Sequence, residues 1–139
     1  METHSNMPRF EKKRRTIVHF GTDRVVLVLR AWILNEMGYR VLNVSDADEA
    51  VKLATRRRVD AVVLDLDRNQ AEVTLVATAI KRCRPQVPTI LLAEETAALH
   101  RAHELADALV QKRDDLGMLI TALEHLLAIR TGQPPKMPL

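Results

Sequence analysis

Aromatic residues are scarce. Two Phe, one Tyr and one Trp make up 3% of a chain of 139 residues, so a core must be built almost wholly from aliphatic side chains. Cysteine is scarcer still. The single thiol, Cys83, can form no internal disulfide and offers no metal-binding set, which makes a reducing, cytoplasmic setting the expectation. Only four glycines occur, and they form no Gly-rich phosphate loop. No apolar run reaches the roughly 20 residues that a membrane-spanning helix needs. The N-terminal charges lead into no long apolar segment of the secretory kind.

What is present is an ordinary globular composition, 47% apolar and 28% charged, long enough to bury one real core. The net charge is +3. Positive residues cluster as Lys12-Lys13-Arg14-Arg15, Arg56-Arg57-Arg58 and Lys81-Arg82 with Arg84. Such clusters can meet nucleic acid or acidic partners. The first reads as a solvated tail. The other two fall where helices are expected to end, where cations complement the helix dipole. No interleaved aromatics accompany them, so a nucleic-acid partner is not the expectation.

Residues 1 to 15 are polar, charged and without period, and read as a flexible basic arm. Thr16 to Phe20 is a short β-prone run. Thr22 or Asp23 can cap a helix reaching Met37, closed by Gly38. Arg40 to Val44 is again β-like. In "SDADEAVKLATRRR", Asp46 and Glu49 have capping-box spacing, with Asp in place of Ser or Thr. Val59 to Leu64 forms a strand that leads into Asp65. Residues 71 to 84 are helical by pattern and Pro85 stops them. "TILLA" after Pro88 is a fourth strand. Thr96 to Leu105 is a polar, Ala-rich helix, Ala108 to Gln111 a fifth strand, and Asp114 or Asp115 caps a last helix to Arg130. Residues 131 to 139 form a Pro-rich tail.

Five strands thus alternate with five helices through short connections. Strands one, three and four are continuous Val/Ile/Leu-rich runs, as buried parallel strands are. The expected fold is an α/β doubly wound, flavodoxin-like sandwich over residues 16 to 130, with a five-stranded parallel sheet in the order 2-1-3-4-5. Sites in such folds lie at the carboxyl ends of the strands, which gathers Gly21, Thr22, Asp23, Asp65, Ala93 and Lys112 at one edge.

Four segments, in this order and spacing, make the chain similar to a response-regulator receiver domain: "NEMGYRVLNVSDADEAVKLA", "VDAVVLDLD", "VPTILLAEE" and "ADALVQK". The resemblance implies a protein of two-component signalling. It places the family's phosphoacceptor aspartate at Asp65 and its lysine at Lys112. It also exposes departures. The paired acids that hold Mg²⁺ in receivers fall at Gly21 and Thr22, neither acidic, with Asp23 one place too far along. The switch Ser or Thr falls at Ala93 and the aromatic switch residue at Leu109. The proline after the lysine is replaced by Arg113, whose peptide is expected to be trans because a non-proline cis bond costs about 3 kcal/mol.

Phosphoryl transfer brings anionic oxygens against a carboxylate, so catalysis is mostly positioning and charge neutralisation. Mg²⁺ needs near-octahedral oxygen ligands, usually with one or two carboxylates. Asp65 alone is a poor set. The expectation is therefore weak or absent Mg²⁺ binding, no cofactor, and Asp65 as a structural ion-pair partner of Lys112. A working phosphoacceptor in a histidine-kinase phosphorelay is the alternative, and a nucleic-acid module using the basic arm a second one.

Other candidates carry less. His4, His100, His103 and His125 are scattered; His100 and His103 stand three apart without a carboxylate or thiolate. His19 reads as a satisfied core or strand-end residue. Cys83 lies among arginines at a helix end, with no base motif beside it. The first helix shows two apolar stripes. Val26, Leu29, Ile33 and Met37 are expected in the core, and Val25, Val28 and Trp32 on a second face. In the last helix Leu116, Leu119, Ile120, Leu123 and Leu127 form the core stripe, with Met118, Ala122 and Ile129 elsewhere. These second faces are candidates for a homodimer or a docked kinase or output protein. The expected function is that of a stand-alone, atypical receiver acting by protein contact, without catalysis of its own.

Overall fold

The computed structural model describes residues 14 to 94, 103 to 113 and 116 to 130. Its strands are β1 (Arg15–Phe20), β2 (Tyr39–Val44), β3 (Ala61–Asp65), β4 (Thr89–Ala93) and β5 (Ala108–Gln111). Its helices are α1 (Arg24–Glu36), α2 (Ala47–Arg56), α3 (Gln70–Cys83) and α4 (Leu116–Arg130), with a 3-10 turn at His103–Leu105. All strand pairs are parallel and the order is β2-β1-β3-β4-β5, as the sequence predicts. The strand before Asp65 begins at Ala61 and includes Asp65 itself. The helix expected from Thr96 lies mostly outside the described residues, and the cap expected at Asp114 or Asp115 wholly so.

Strand alternation divides the core in two. Val18, Phe20, Val62, Leu64, Leu91 and Ala93 face α2 and α3, meeting Ala50, Val73, Val76 and Ile80. Ile17, Ala61, Val63, Ile90 and Leu92 point the other way and meet Leu34 of α1 and Leu119, Leu123 and Leu127 of α4. Because side chains alternate with period two, His19, Asn43 and Asp65 share the α1 and α4 side of the sheet with Ile17, Val41 and Val63.

Local chemistry fixes the elements. Asp23 caps α1, accepting from the amides of Val25 at 3.1 Å and Val26 at 3.2 Å, and Gly38 takes the left-handed φ of 99° that ends the helix. Asp46 caps α2 through the amide of Glu49 at 2.9 Å. The first strand starts earlier than expected. Arg15 already pairs with Tyr39, and Arg14 donates to the Tyr39 carbonyl at 2.8 Å, so these two residues belong to the folded body.

The phase of α1 differs from the sequence expectation. Leu27, Ala31 and Leu34 are buried, while Val26, Leu29, Ile33 and Met37 are not. The helix is apolar nearly all round, so periodicity alone cannot orient it. Its inward face also carries Arg30. In α4 the expected core residues Leu119, Leu123 and Leu127 are buried, with Leu116 and Ile120 packed against them. Ala122 packs partly against the same core and leaves the exposed face to Met118 and Ile129.

Candidate functional site

Asp65 ends β3 at the carboxyl edge of the sheet and is 6% exposed. Two cations hold its carboxylate. Lys112, one residue beyond β5, pairs with Oδ1, and Arg30 reaches across from the middle of α1, with Nη1 2.8 Å from Oδ2. The lysine is positioned by its amide, which donates to the Ala93 carbonyl at 2.9 Å and carries the β4-β5 pairing one residue further. The pair Asp65–Lys112 is the one the sequence leads one to expect.

Arg30 is not. Its guanidinium also approaches His19 Nε2 at 3.0 Å, and His19 Nδ1 lies 2.8 Å from Asn43 Oδ1. The protonation pattern follows from the chemistry. A guanidinium can only donate, so Nε2 must accept, and the ring proton sits on Nδ1 and is donated to Asn43. Asn43 Nδ2 in turn donates to the Leu27 carbonyl at 3.4 Å. A continuous polar chain thus runs Leu27–Asn43–His19–Arg30–Asp65–Lys112 through the α1 side of the sheet. Burial is the main reason that the His19 pKa falls to about 4, with Arg30 acting in the same direction and the Asn43 bond against it. His19 is therefore neutral in the fold, as its acceptor role requires.

The positions around Asp65 leave little room for other ligands. Gly21 lies beside it, and a Cβ there would come within 2.9 Å of Leu27 Cδ2 and 3.0 Å of Asp65 Cβ. Thr22 is exposed, and the nearest acid in sequence, Asp23, is engaged as the α1 cap. Ala93 is buried among the α2 and α3 side chains, and Leu109 packs partly against the same cluster. Asn69 builds the loop after β3: its Oδ1 accepts from the Asp67 amide at 2.7 Å and its Nδ2 donates to the Asp65 carbonyl at 3.2 Å.

A divalent cation does not fit this donor set. It would need carboxylate oxygens that already face Arg30 and Lys112. At an effective dielectric of about 20, each cation would repel a divalent ion about 4 Å away by roughly 8 kcal/mol. Among the described residues, no group of three or more His, Cys, Asp or Glu side chains could hold a metal. His19 is fully buried in the polar chain and His125 is exposed; His4 and His100 lie outside the described residues. Cys83 is exposed at the end of α3.

Sequence reasoning missed Arg30, Asn43 and Asn69. For Arg30 a signal existed: it is the lone charge inside the apolar run "VVLVLRAWIL". A charge that interrupts such a run needs either solvent or a partner, and the acid at the end of β3 is the partner it finds.

No protein-family model and no curated protein matches the sequence. Among solved structures, the chain is similar to a CheY-like response regulator receiver domain protein from Methanospirillum hungatei, with 18% identity, a TM-score of 0.77 and coverage of 86% of this chain and 98% of that one. It is similar to a response regulator receiver protein from Sinorhizobium medicae, at 22% identity and TM-score 0.74, covering 85% and 98%. It also resembles the response regulator TrrA from Thermotoga maritima, in complex with Mg²⁺ and BeF, at 23% identity and TM-score 0.73, covering 82% and 99%. The chain has the fold of response-regulator receiver domains, around a strand-end carboxylate clamped between a lysine and an arginine.

Proposed function

We propose that the protein is an atypical receiver-like component of two-component-type signalling, acting by protein contact and not by catalysis, with Asp65 serving as a structural anion. The observation that carries this reading is that both Asp65 oxygens face cations of the protein itself, Lys112 and Arg30. A working phosphoacceptor needs one oxygen free to attack and a metal to gather the phosphoryl charge. Here Arg30 and Lys112 already neutralise the carboxylate, Gly21 and Thr22 supply no acid, and Ala93 offers no hydroxyl to read out a phosphoryl group.

The contact surface is the outer half of α1. Val25, Val28, Leu29, Trp32 and Ile33 are all exposed, and Trp32 is 64% exposed. Met118 and Ile129 of α4 are also exposed. The five α1 residues stand at helical spacing on one face, and an apolar patch of this kind marks protein partners. A histidine kinase, an output protein or a second copy of the chain fits that chemistry.

Incubation with acetyl phosphate, or with beryllofluoride, in the presence of Mg²⁺ tests the assignment of Asp65. Intact mass and fluorine spectra should show no modification. Stoichiometric, Asp65-dependent modification would overturn it in favour of a conventional phosphoacceptor.

A further inference from the structure

The densest positive charge in the described residues lies at the end of the molecule away from Asp65, and the fold assembles it from two distant runs. Arg56 closes the last turn of α2, Arg57 is its C-cap and Arg58 follows. Lys81 and Arg82 stand in the last turn of α3 and Arg84 is its C-cap. Arg84 Nη2 donates to the Thr55 carbonyl at 3.0 Å, bridging the two helix ends. Both helices pack on the same sheet face, and β3 and β4 start within a few residues of these ends, so the cluster sits at the amino edge of the sheet.

Arg56, Arg57, Arg58, Lys81 and Arg82 are exposed; Lys81 Nζ donates to the Glu104 carbonyl at 2.8 Å, and the acid that follows the first run, Asp60, accepts from the Thr16 amide at 2.7 Å. A helix dipole accounts for cations within a last turn. It does not account for Arg57 and Arg58 beyond the helix, nor for an arginine that aligns the two ends.

We propose that this end of the molecule docks the phosphate backbone of duplex nucleic acid without sequence preference. Guanidinium forks match phosphate oxygens bidentately, and four of the five exposed cations are arginines. No aromatic residue stands in the cluster to stack unpaired bases, which favours a duplex over a single strand. A bilayer surface fits less well, because membrane-lying elements pair their cations with Trp, Phe or Leu. Among the described residues, the large exposed apolar side chains lie on α1 and its C-cap Met37, on α4 and at Leu75, outside the two arginine runs.

Fluorescence anisotropy of a labelled mixed-sequence DNA duplex, titrated with the full chain at several salt concentrations, tests this. Five phosphate contacts give a log–log salt slope of about −4.5. The triple variant Arg57→Glu, Arg58→Glu, Arg82→Glu should bind at least about tenfold more weakly and with a shallower slope. Arg24→Glu, Arg68→Glu, Arg113→Glu makes the same change in net charge with exposed residues at the carboxyl edge, and should retain most of the affinity. Equal losses in both triple variants, or no loss in the first, would overturn the proposal. So would absence of salt-dependent binding, or loss only when Lys12 and Lys13 are reversed. Preferential binding to phosphatidylserine vesicles at matched salt would reassign the face to membranes. None of these outcomes bears on Asp65, so the two readings fail separately.

Discussion

The Arg30 guanidinium stands 2.8 Å from one oxygen of Asp65 while the Lys112 ammonium faces the other. One buried carboxylate therefore serves two cations from different elements, and the sheet edge, α1 and the residue after β5 are tied at a single point. Removing Asp65 leaves two cations without a counterion, whereas removing Arg30 leaves Asp65 still paired with Lys112.

That asymmetry sets the first prediction. Arg30→Met leaves Asp65 Oδ2 and His19 Nε2 facing an apolar side chain while Lys112 still neutralises the carboxylate, and losing hydrogen bonds to a charged group in this way costs about 1.5–3 kcal/mol. Urea denaturation of Arg30→Met should show a loss in that range. Combining it with Asp65→Asn should cost less than the two single losses added together, because the residues share one interaction. Simple additivity would mean that the two side chains are not coupled.

Protonation of His19 gives a second. Its folded pKa of about 4 lies below the ordinary imidazole value of 6.5, so the unfolded chain binds the extra proton first as the pH falls. The contribution of His19 is fully present above about pH 6.5, declines as the pH drops, and is exhausted below about pH 4. Over that window it amounts to about 3 kcal/mol. Carboxylates titrate there too, so the readout is a difference: His19→Gln should flatten the pH dependence of the urea midpoint relative to the parent. Nitrogen chemical shifts should show the Nδ1–H tautomer at neutral pH. A ring protonated at Nε2 would contradict the direction of the Arg30 contact.

The third concerns Gly21. Restoring an acid at the position where receivers carry one looks like a simple repair, yet a Cβ there meets Leu27 Cδ2 at 2.9 Å and Asp65 Cβ at 3.0 Å. Leucine can rotate away, whereas the Asp65 Cβ is fixed by β3. Gly21→Asp should destabilise the fold by about 1–3 kcal/mol and still show no Mg²⁺ binding by calorimetry while Arg30 remains. Mg²⁺ binding in that single variant would show that Arg30 yields readily to a metal.

How much of this was readable beforehand divides along physical lines. Sheet order, strand positions and the Asp23 and Asp46 caps follow from local chemistry: capping carboxylates, a Pro stop, and Val-Ile-Leu runs set at regular intervals. Asp65 and Lys112 follow from strand ends in a parallel sheet. The face of α1 does not, because "VVLVLRAWIL" is apolar on every side and its orientation is decided by tertiary contacts at Leu27, Arg30, Ala31 and Leu34. Asn43 was hidden for another reason. A polar residue on an edge strand normally faces water, and only the buried His19 opposite it in the β1-β2 register gives it a partner. The two arginine runs were visible, but the hydrogen bond from Arg84 to Thr55 that aligns them belongs to the packing of α2 on α3.

The inverted phase of α1 yields the last prediction. Had Leu29 and Ile33 been core residues, polar substitution there would unfold the protein, since truncating or charging a buried leucine costs several kcal/mol. They are exposed by 54% and 44%. Leu29→Lys and Trp32→Glu should therefore change stability by no more than about 0.5 kcal/mol, while Leu27→Ala and Leu34→Ala should each cost about 2–5 kcal/mol. The same exposed substitutions should abolish whatever contact the α1 face makes, read by sedimentation equilibrium for self-association and by pull-down against a candidate kinase. Stable Leu29→Lys and Trp32→Glu proteins with unchanged mass and unchanged partner binding would remove α1 as the contact surface, yet would leave its phase in the fold intact. Unfolding of the Leu29→Lys protein would instead return Leu29 to the core and overturn the phase of α1 that Leu27, Ala31 and Leu34 define.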